Sequence, residues 1–278
     1  MKKNLLFLIT VLLSISLCNA QKTDKVKGNR NVTIQQTNVE SFHTIALDED
    51  FEIEIIYDQN PYVEIETDEN LHEYLEFQVI DSVLTFNNTI KISSKKKLNI
   101  KVTYNDVLKH IETTDDAEIL SLSTMDLENG SLKTRGSSKA GLTVKSDNFN
   151  FDIDDKSKVK LNLTSDKCII TMSGNSKLDA LINTADLSAT LYQRATANIE
   201  GSCKTATLEL DNNSEFDGKN FTINACDVVC NISSEATLEV LDTINIDASG
   251  TSSISLYQNP KIVINTLSDT SKLQKKVK

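Results

Sequence analysis

The fold is decided by the stretch SKVKLNLTSDKCIITMSGN, residues 157–175, whose pattern recurs through the second half of the chain. The stretch begins with a small residue, and small residues return every 19 positions, at Ser138, Ser157, Ser176, Ala195 and Ser214. After one irregular stretch near Ser233, the repeat resumes at Ser252 and Ser271, which are again 19 apart. A fixed period near 20 residues is typical of a solenoid, in which successive coils of chain stack on one another.

Within each repeat, apolar residues alternate with polar ones in two runs. The first run occupies the second, fourth and sixth positions after the small residue, as in Val159, Leu161 and Leu163. The second occupies the eleventh, thirteenth and fifteenth positions, as in residues 168–172. Strict alternation is the period of a half-buried strand. We therefore predict an all-β fold, a parallel β-helix or solenoid with about 19 residues per rung and two short strands per rung.

A sandwich of ordinary hairpins is the alternative fold. Hairpin strands need not repeat at a constant period, and hairpin turns usually carry Asn-Gly or Asp-Gly. The chain has only two such pairs, Asn129-Gly130 and Asp217-Gly218. The solenoid is therefore favoured, and eight or nine rungs between Ala117 and Ser271 predict a rod about 40 Å long at about 4.8 Å per rung. The repeat slips near Ser233, where we expect a bulged turn to absorb the insertion.

The start of the chain has the pattern of a secretory signal peptide over residues 1–20. Two lysines precede an apolar stretch, Leu5 to Leu17, which is too short to span a bilayer. A small-residue cleavage site then ends at Ala20. The alternative is a lipid on Cys18, but Leu17 stands where lipoprotein signals usually carry a small residue. We predict cleavage near Ala20, export to the periplasm, the outer-membrane surface or the medium, and no membrane span in the mature chain.

The rest of the chain divides by regularity. Residues 21–113 are strand-rich but lack the repeat, and we predict irregular rungs or a cap on the solenoid. A cap is expected on physical grounds because the first coil would otherwise expose a sheet edge and an open core. Residues 114–273 form the predicted regular solenoid. Residues 274–278 are a polar tail, whose lysines discourage pairing of the last rung with another chain.

Charge and cysteine content narrow the function classes. The chain has 29 basic and 40 acidic residues, a formal net charge of −11. An acidic chain is a poor candidate for binding nucleic acid or an anionic membrane. Beyond the signal peptide the cysteines are Cys168, Cys203, Cys226 and Cys230. The register puts Cys168 and Cys226 three rungs apart, about 14 Å, which is beyond disulfide reach. Only Cys226 and Cys230 are near enough to pair, and buried thiols are the favoured interpretation.

Several segments resemble a known bacterial family. They are Phe42-His43-Thr44-Ile45, Phe51-Glu52-Ile53-Glu54-Ile55, residues 98–104, and the turns Gly136-Ser137-Ser138 and Gly174-Asn175-Ser176. From about residue 40 to 260 the chain is similar to the putative auto-transporter adhesin, head GIN domain family of Gram-negative bacteria. The resemblance implies a right-handed parallel β-helix and a surface or periplasmic role. The family carries no catalytic residues that could be transferred to this chain.

Four side chains are candidates for a binding site. Asp154 and Asp155 form an acidic pair in a turn and could flank a glycosidic bond or hold Ca²⁺, while Tyr192 and Tyr257 could stack against a ligand. Neighbouring turns carry other residues in place of the acidic pair, and acidic residues are common in turns for local hydrogen-bonding reasons. The segment 211–218 resembles a calcium loop but has Phe216 where glycine is required. We therefore predict no catalytic residues, no metal and no cofactor.

The sequence leaves two main functional hypotheses. The favoured one is an exported, non-catalytic β-solenoid that acts as an adhesin-like binding module of the cell envelope or surface, with a glycan or an envelope protein as its partner and no nucleic acid. The alternative is a polysaccharide lyase or hydrolase that uses turn carboxylates such as Asp154 and Asp155. A third option is a structural protein that associates with itself. The oligomeric state is left open by the sequence.

Overall fold

A computed structural model describes residues 25–277 of the 278-residue chain. The predicted signal peptide, residues 1–20, lies outside the described residues. The described chain is all-β, with one short helix, and forms a solenoid of about nine turns with successive turns about 19 residues apart. The predicted fold class is thereby confirmed, including the lower regularity of the N-terminal part.

From residue 25 to residue 121 the chain contains eleven short strands and one 3₁₀ helix, Glu69–Tyr74. The strands are β1 Lys25–Lys27, β2 Val32–Asn38, β3 Thr44–Leu47, β4 Glu52–Tyr57, β5 Tyr62–Asp68, β6 Leu75–Ile80, β7 Val83–Asn88, β8 Lys91–Ser94, β9 Leu98–Tyr104, β10 His110–Thr113 and β11 Glu118–Ser121.

The regular part consists of long parallel strands. They are β12 Met125–Thr134, β13 Lys139–Ile153, β14 Lys158–Met172, β15 Lys177–Leu191, β16 Thr196–Leu210, β17 Glu215–Cys230 and β18 Glu235–Ala248, and the last rung contains β19 Ser253–Tyr257, β20 Lys261–Leu267 and β21 Lys272–Lys275. From β13 to β16 each residue pairs with the one 19 positions later, as Val159 does with Leu178. The inward positions predicted from the repeat are buried along these strands.

In each 15-residue strand the buried positions shift by one residue once, as between Ser146 and Phe149 in β13, and this corner divides the rung into two arms. The ladder skips one residue per rung at this corner, for example Asp147 opposite Asp166. We call the eight residues before the corner the first arm (139–146 in β13) and those after it the second arm (148–153). The two strands predicted per rung are therefore present, but they run into each other at the corner, and a single turn closes the rung.

The small residues of the repeat lie beneath that closing turn. Ser138, Ser157 and Ser176 are fully buried. The Ser157 hydroxyl donates to the carbonyl oxygen of Asp154 at 2.5 Å, which ties the turn to the strand that follows it. A larger side chain at this position would overpack the narrow space between the arms. The 19-residue repeat of small residues therefore marks the start of each rung.

A column of left-handed backbone runs through the stacked turns, two positions before each small residue. Its φ values include 61° at Asp155, 72° at Gly174, 60° at Gln193 and 59° at Ile232. Glycine suits this conformation because it has no Cβ. Where the column has another residue, its side chain often bonds to the preceding turn: Asp155 Oδ2 accepts the Gly136 N–H at 2.9 Å.

The irregularity near Ser233 has a different location from the one expected. The turn before Ser234 keeps the left-handed geometry of the other turns, with Ile232 in the column. The extra residues lie within the strand β17, where the ladder to β18 jumps from Gly218 to Thr222. Phe221, in this bulge, is fully buried. The prediction of a bulged turn was therefore wrong: strand bulges absorb the insertion because they can turn an aromatic ring into the core.

The N-terminal part joins the rod through the same strand columns. Strand β10 lies between β3 and β12, and β11 lies between β4 and β13, all parallel. Antiparallel pairs β2–β5, β5–β9 and β6–β7 are added to these columns. They bury Val63, Ile65, Leu84 and Phe86 and so close the core at this end of the rod. The boundary at residue 113 stays a prediction.

The four cysteines in the described chain are free and buried. Burial raises the pKa of the Cys203 thiol to about 12 and raises the pKa values of Cys168, Cys226 and Cys230 as well. A thiol held in its protonated form reacts slowly with oxidants and disulfides. Cys226 and Cys230 do not pair, and the four side chains serve as small core residues.

Candidate binding surfaces

The turn edge is the stack of exposed turns formed by residues 135–137, 154–156, 173–175 and 192–194. Asp154 and Tyr192 occupy the same position in their turns and are separated by one turn, which carries Ser173 there. At about 4.8 Å per rung, their backbones are about 10 Å apart along the rod. The structure therefore brings Asp154, Asp155 and Tyr192 to one edge, and places Tyr257 elsewhere.

Asp154 is held by its own turn. Its Oδ1 atom accepts the Ser173 hydroxyl at 2.5 Å and the Asp155 N–H at 2.7 Å. The Ser173 hydrogen bond, followed by the Asp155 N–H, lowers the pKa of Asp154 below its ordinary value. A general acid in glycoside cleavage needs a raised pKa. Asp154 is therefore ionised at neutral pH and unsuited to donate a proton.

The Asp155 carboxylate accepts a hydrogen bond from the Gly136 N–H of the preceding turn. Its left-handed backbone directs the carboxylate along the stack. The turns on either side present Arg135-Gly136 and Ser173-Gly174, so that no second acidic pair faces this one across a rung. The geometry assigns Asp154 and Asp155 a structural part in the stacking of turns.

The two tyrosines differ in what they offer a ligand. Tyr192 is 37% exposed in its turn, and its ring is accessible. Tyr257 is 9% exposed, and Lys219 Nζ lies 5.7 Å from its ring centroid. A cation over the ring face stabilises this packing, so the Tyr257 face is occupied by the protein itself.

The segment that resembles a calcium loop, residues 211–218, forms a turn followed by the start of β17. Asn212 and Asn213 adopt left-handed backbone in this turn. Glu215 and Asp217 belong to the start of β17, at the positions that alternate with the buried residues of the strand. Between residues 25 and 277, no group of three or more His, Cys, Asp or Glu side chains is arranged to hold a metal ion.

The outward side of the second arms forms a mainly polar surface, which we call the second-arm face. Two outward ladder positions per rung form it, and two of these positions are apolar, Ile169 and Val229. The others carry hydroxyls, amides and carboxylates: Asn150, Asp152, Thr171, Ser188, Thr190, Thr207, Glu209, Asp227, Asn245 and Asp247. Neighbouring rungs bond along it, as when Asn245 Nδ2 donates to Asp227 Oδ1 at 2.6 Å. None of its residues is among the four predicted site residues, although the surface can be recognised in the sequence from the outward positions of the second apolar run.

The outward side of the first arms has more charge. Lys139, Lys158 and Lys177 are in register on successive rungs. Lys139 forms a 2.8 Å ion pair with Glu118 on the preceding rung, and Glu215 follows two rungs after Lys177. The column therefore alternates blocks of opposite sign. Such a surface offers no continuous positive stripe for a nucleic acid.

A groove of about 470 Å³ lies where the N-terminal part meets the rod. Its wall includes carboxylates at Glu49 and Asp116 and ammonium groups at Lys91 and Lys95. Charges of both signs and an open shape leave it without the convergent set of polar groups that marks a small-molecule site.

The family comparison covers most of the chain. The model of the family described as "Putative auto-transporter adhesin, head GIN domain" matches residues 41–181 and 159–260. The chain belongs to this family. The resemblance predicted from the sequence is confirmed. No curated protein matches this GIN-domain chain, and no helix within the described residues is long and apolar enough to cross a membrane.

Solved structures share the fold of this GIN-domain protein. A protein of Parabacteroides distasonis described as a putative adhesin has a TM-score of 0.67 at 18% identity, covering 91% of this chain and 100% of its own. A second protein of that organism, described as a putative lipid binding protein, has a TM-score of 0.64 at 17% identity over 91% and 99%. A putative adhesin of Parabacteroides merdae has a TM-score of 0.61 at 17% identity over 91% and 99%. At these identities the likeness concerns the fold.

Proposed function

We propose that this GIN-domain protein is an exported, non-catalytic binding module whose second-arm face contacts a surface glycan. The observation that supports the proposal is the repeated outward ladder of hydroxyl, amide and carboxylate groups. These groups recur about every 4.8 Å along the rod, and hydrogen bonds between rungs hold several of them in place. An extended polymer of hydroxyl groups could bond to many of them at once, and weak contacts in series give useful avidity.

The state of the turn carboxylates supports a role without catalysis. Asp154 and Asp155 are engaged in hydrogen bonds with their own turns. The family name supports a role at the cell surface. The signal peptide of residues 1–20 is part of this proposal, and mass spectrometry of the secreted chain should find a new N terminus at Gln21.

Retention on a panel of immobilised bacterial and host glycans tests the binding proposal. We expect the purified protein to be retained by at least one glycan. Replacing Thr171 and Thr207 on the second-arm face by lysine should weaken retention at least tenfold because the bulkier side chains interrupt the ladder. The matched control replaces Asn162 and Thr164 on the first-arm face by lysine, with the same change of charge, and should bind like the wild type. Retention on no glycan of the panel, or equal loss in both variants, would contradict the proposal.

The enzymatic alternative is tested with soluble polysaccharides. The chain should release no oligosaccharides, with or without Ca²⁺. Turnover that disappears when Asp154 and Asp155 are both replaced by asparagine would establish the alternative and overturn a non-catalytic role.

A further inference from the structure

The last rung ends the solenoid without a cap among the described residues. Strand β20 pairs only with β18, and β21 pairs only with β19. The core-facing side chains of β20 are half exposed: Ile262 is 43%, Ile264 is 48% and Leu267 is 45% accessible. In an interior rung the equivalent residues are buried, as Ile244 and Ile246 are. The rung therefore presents an apolar strip beside a free backbone edge.

The charge of this end is opposite to that of the rest of the chain. Residues 261–278 contain five lysines and one acidic residue, Asp269, which leaves 24 basic and 39 acidic residues in the first 260. The Asp269 carboxylate accepts the N–H of Gly250 in the preceding turn. Lys261 and Lys272 lie on the last rung, and neither forms an ion pair in the described part of the chain. The end of an acidic rod is thus basic.

Lys275 gives β21 a charge at an inward position, which β20 lacks. It is aligned with Leu256, a buried core position of the preceding rung. Its ammonium group instead contacts the Gln258 carbonyl and the Asn259 side chain. A charge at an inward position of an edge strand rejects an apolar strand. An edge guarded only for solubility would carry charges at the inward positions of β20 as well, yet Ile262, Ile264 and Leu267 occupy them.

We propose that the last rung is a docking site for an extended acidic segment of a partner protein, which adds a strand along β20. Alternate apolar side chains of the segment would cover Ile262, Ile264 and Leu267, and its carboxylates would pair with Lys261, Lys272 and Lys275. Backbone hydrogen bonds give such strand addition its affinity and side chains give its specificity. A second copy of the chain is disfavoured as the occupant because two such ends would bring their lysines together. The site is independent of the second-arm face.

A synthetic peptide with the sequence of β18, residues 235–248, is a suitable probe. It alternates apolar residues with four carboxylates and has no basic residue. Fluorescence anisotropy should show that it binds the mature protein, and more weakly at high salt because exposed charge pairs are screened. The double variant Lys272→Glu and Lys275→Glu should bind the peptide at least tenfold more weakly. The control Lys156→Glu and Lys158→Glu has the same charge change at exposed mid-rod positions and should bind like the wild type.

Two further readouts complete the test. A peptide whose carboxylates are replaced by amides should not bind, and hydrogen exchange should show new protection confined to β20 when the acidic peptide is present. No binding of the acidic peptide, or equal binding by the two double variants, would overturn the proposal. So would a dimer in analytical ultracentrifugation that Lys272→Glu and Lys275→Glu disrupts, because the occupant would then be a second copy.

Discussion

The regular rungs and the N-terminal part use the same strand columns in different ways. In β13–β16 every rung repeats its neighbour with a shift of 19 residues, so each contact is made with the next copy of the same position. In the N-terminal part, parallel strands β3 and β4 continue the columns while antiparallel strands close the core. Stability is therefore distributed over equivalent rungs in one region and depends on a single arrangement in the other.

Deletion of whole 19-residue segments should give the largest difference between the two regions. Removing residues 177–195 joins Ser176 to Thr196, so β14 can stack on β16 in the original register, and the shortened chain should fold cooperatively. Removing residues 76–94 deletes most of the β6–β7 hairpin and exposes the core around Phe51, so the chain should lose its near-ultraviolet signal and aggregate. Circular dichroism and size-exclusion chromatography measure both. If both deletions were tolerated alike, the comparison would fail.

A charge introduced at an inward position should cost more stability in an interior rung than in the last rung. Ile182→Asp places a carboxylate at a fully buried position and should lower the free energy of unfolding by more than about 4 kcal/mol. Ile264→Asp occupies the corresponding side of the last rung, which is 48% exposed, and should change it by less than about 1 kcal/mol. Urea denaturation of the two variants checks this difference. Similar losses would show that the last rung is covered in solution.

The column of left-handed backbone in the turns allows two substitutions with opposite expected effects on stability. Gly174→Ala adds a Cβ that would lie 2.5 Å from the Asp155 carbonyl oxygen, and should destabilise the protein by about 1–3 kcal/mol. Ile232→Gly relieves a β-branched residue at φ 59° and should stabilise it by about 1 kcal/mol. Thermal unfolding of the two variants measures whether each change lowers or raises stability. A loss of stability in Ile232→Gly would mean that the side chain contributes packing that outweighs its backbone strain.

The smallest expected effect is on the dependence of folding stability on pH in acid. The folded-state pKa of Asp154 lies below its ordinary value of 3.8, so this group contributes stability that is complete above that value and is lost as the pH falls through the folded pKa. Asp154→Asn should reduce the slope of stability against pH below about pH 4, because it removes the small stabilisation that the ionised carboxylate contributes at pH 7. The variant Ser173→Ala, which removes the hydroxyl that donates to Asp154, should reduce the slope as well. Equal slopes in all three proteins would contradict the assigned hydrogen bonds.

The sequence was sufficient to predict the regular rungs because their pattern is local and repeated. Alternation identified the inward residues of Val159–Leu163, and the small residues located each turn. Alternation has the same period in parallel and antiparallel strands, so the antiparallel closure by β5 and β6 could not be read from it. The bulge at Phe221 was assigned to a turn for a similar reason, since an insertion in sequence does not say which backbone segment absorbs it.

The candidate site was less predictable. Asp154, Asp155 and Tyr192 were separate candidates in the sequence, and it is the structure that brings the three to one edge. Whether a turn carboxylate is free depends on hydrogen bonds to neighbouring rungs, such as that from Ser173, and these follow from rotamers and not from spacing. Tyr257 lies in a rung displaced by the bulges, which is why its contact with Lys219 was not foreseen.

The central claim is that the rod binds through its repeated polar face and not through chemistry at its turns. The most direct measurement is the affinity of one retained glycan for three proteins in parallel: the wild type, the Thr171→Lys and Thr207→Lys variant, and the Asp154→Asn and Asp155→Asn variant. We predict at least a tenfold loss for the first variant, wild-type affinity for the second, and an intact glycan in every sample. Loss of binding in the turn variant with retention in the face variant would contradict the account.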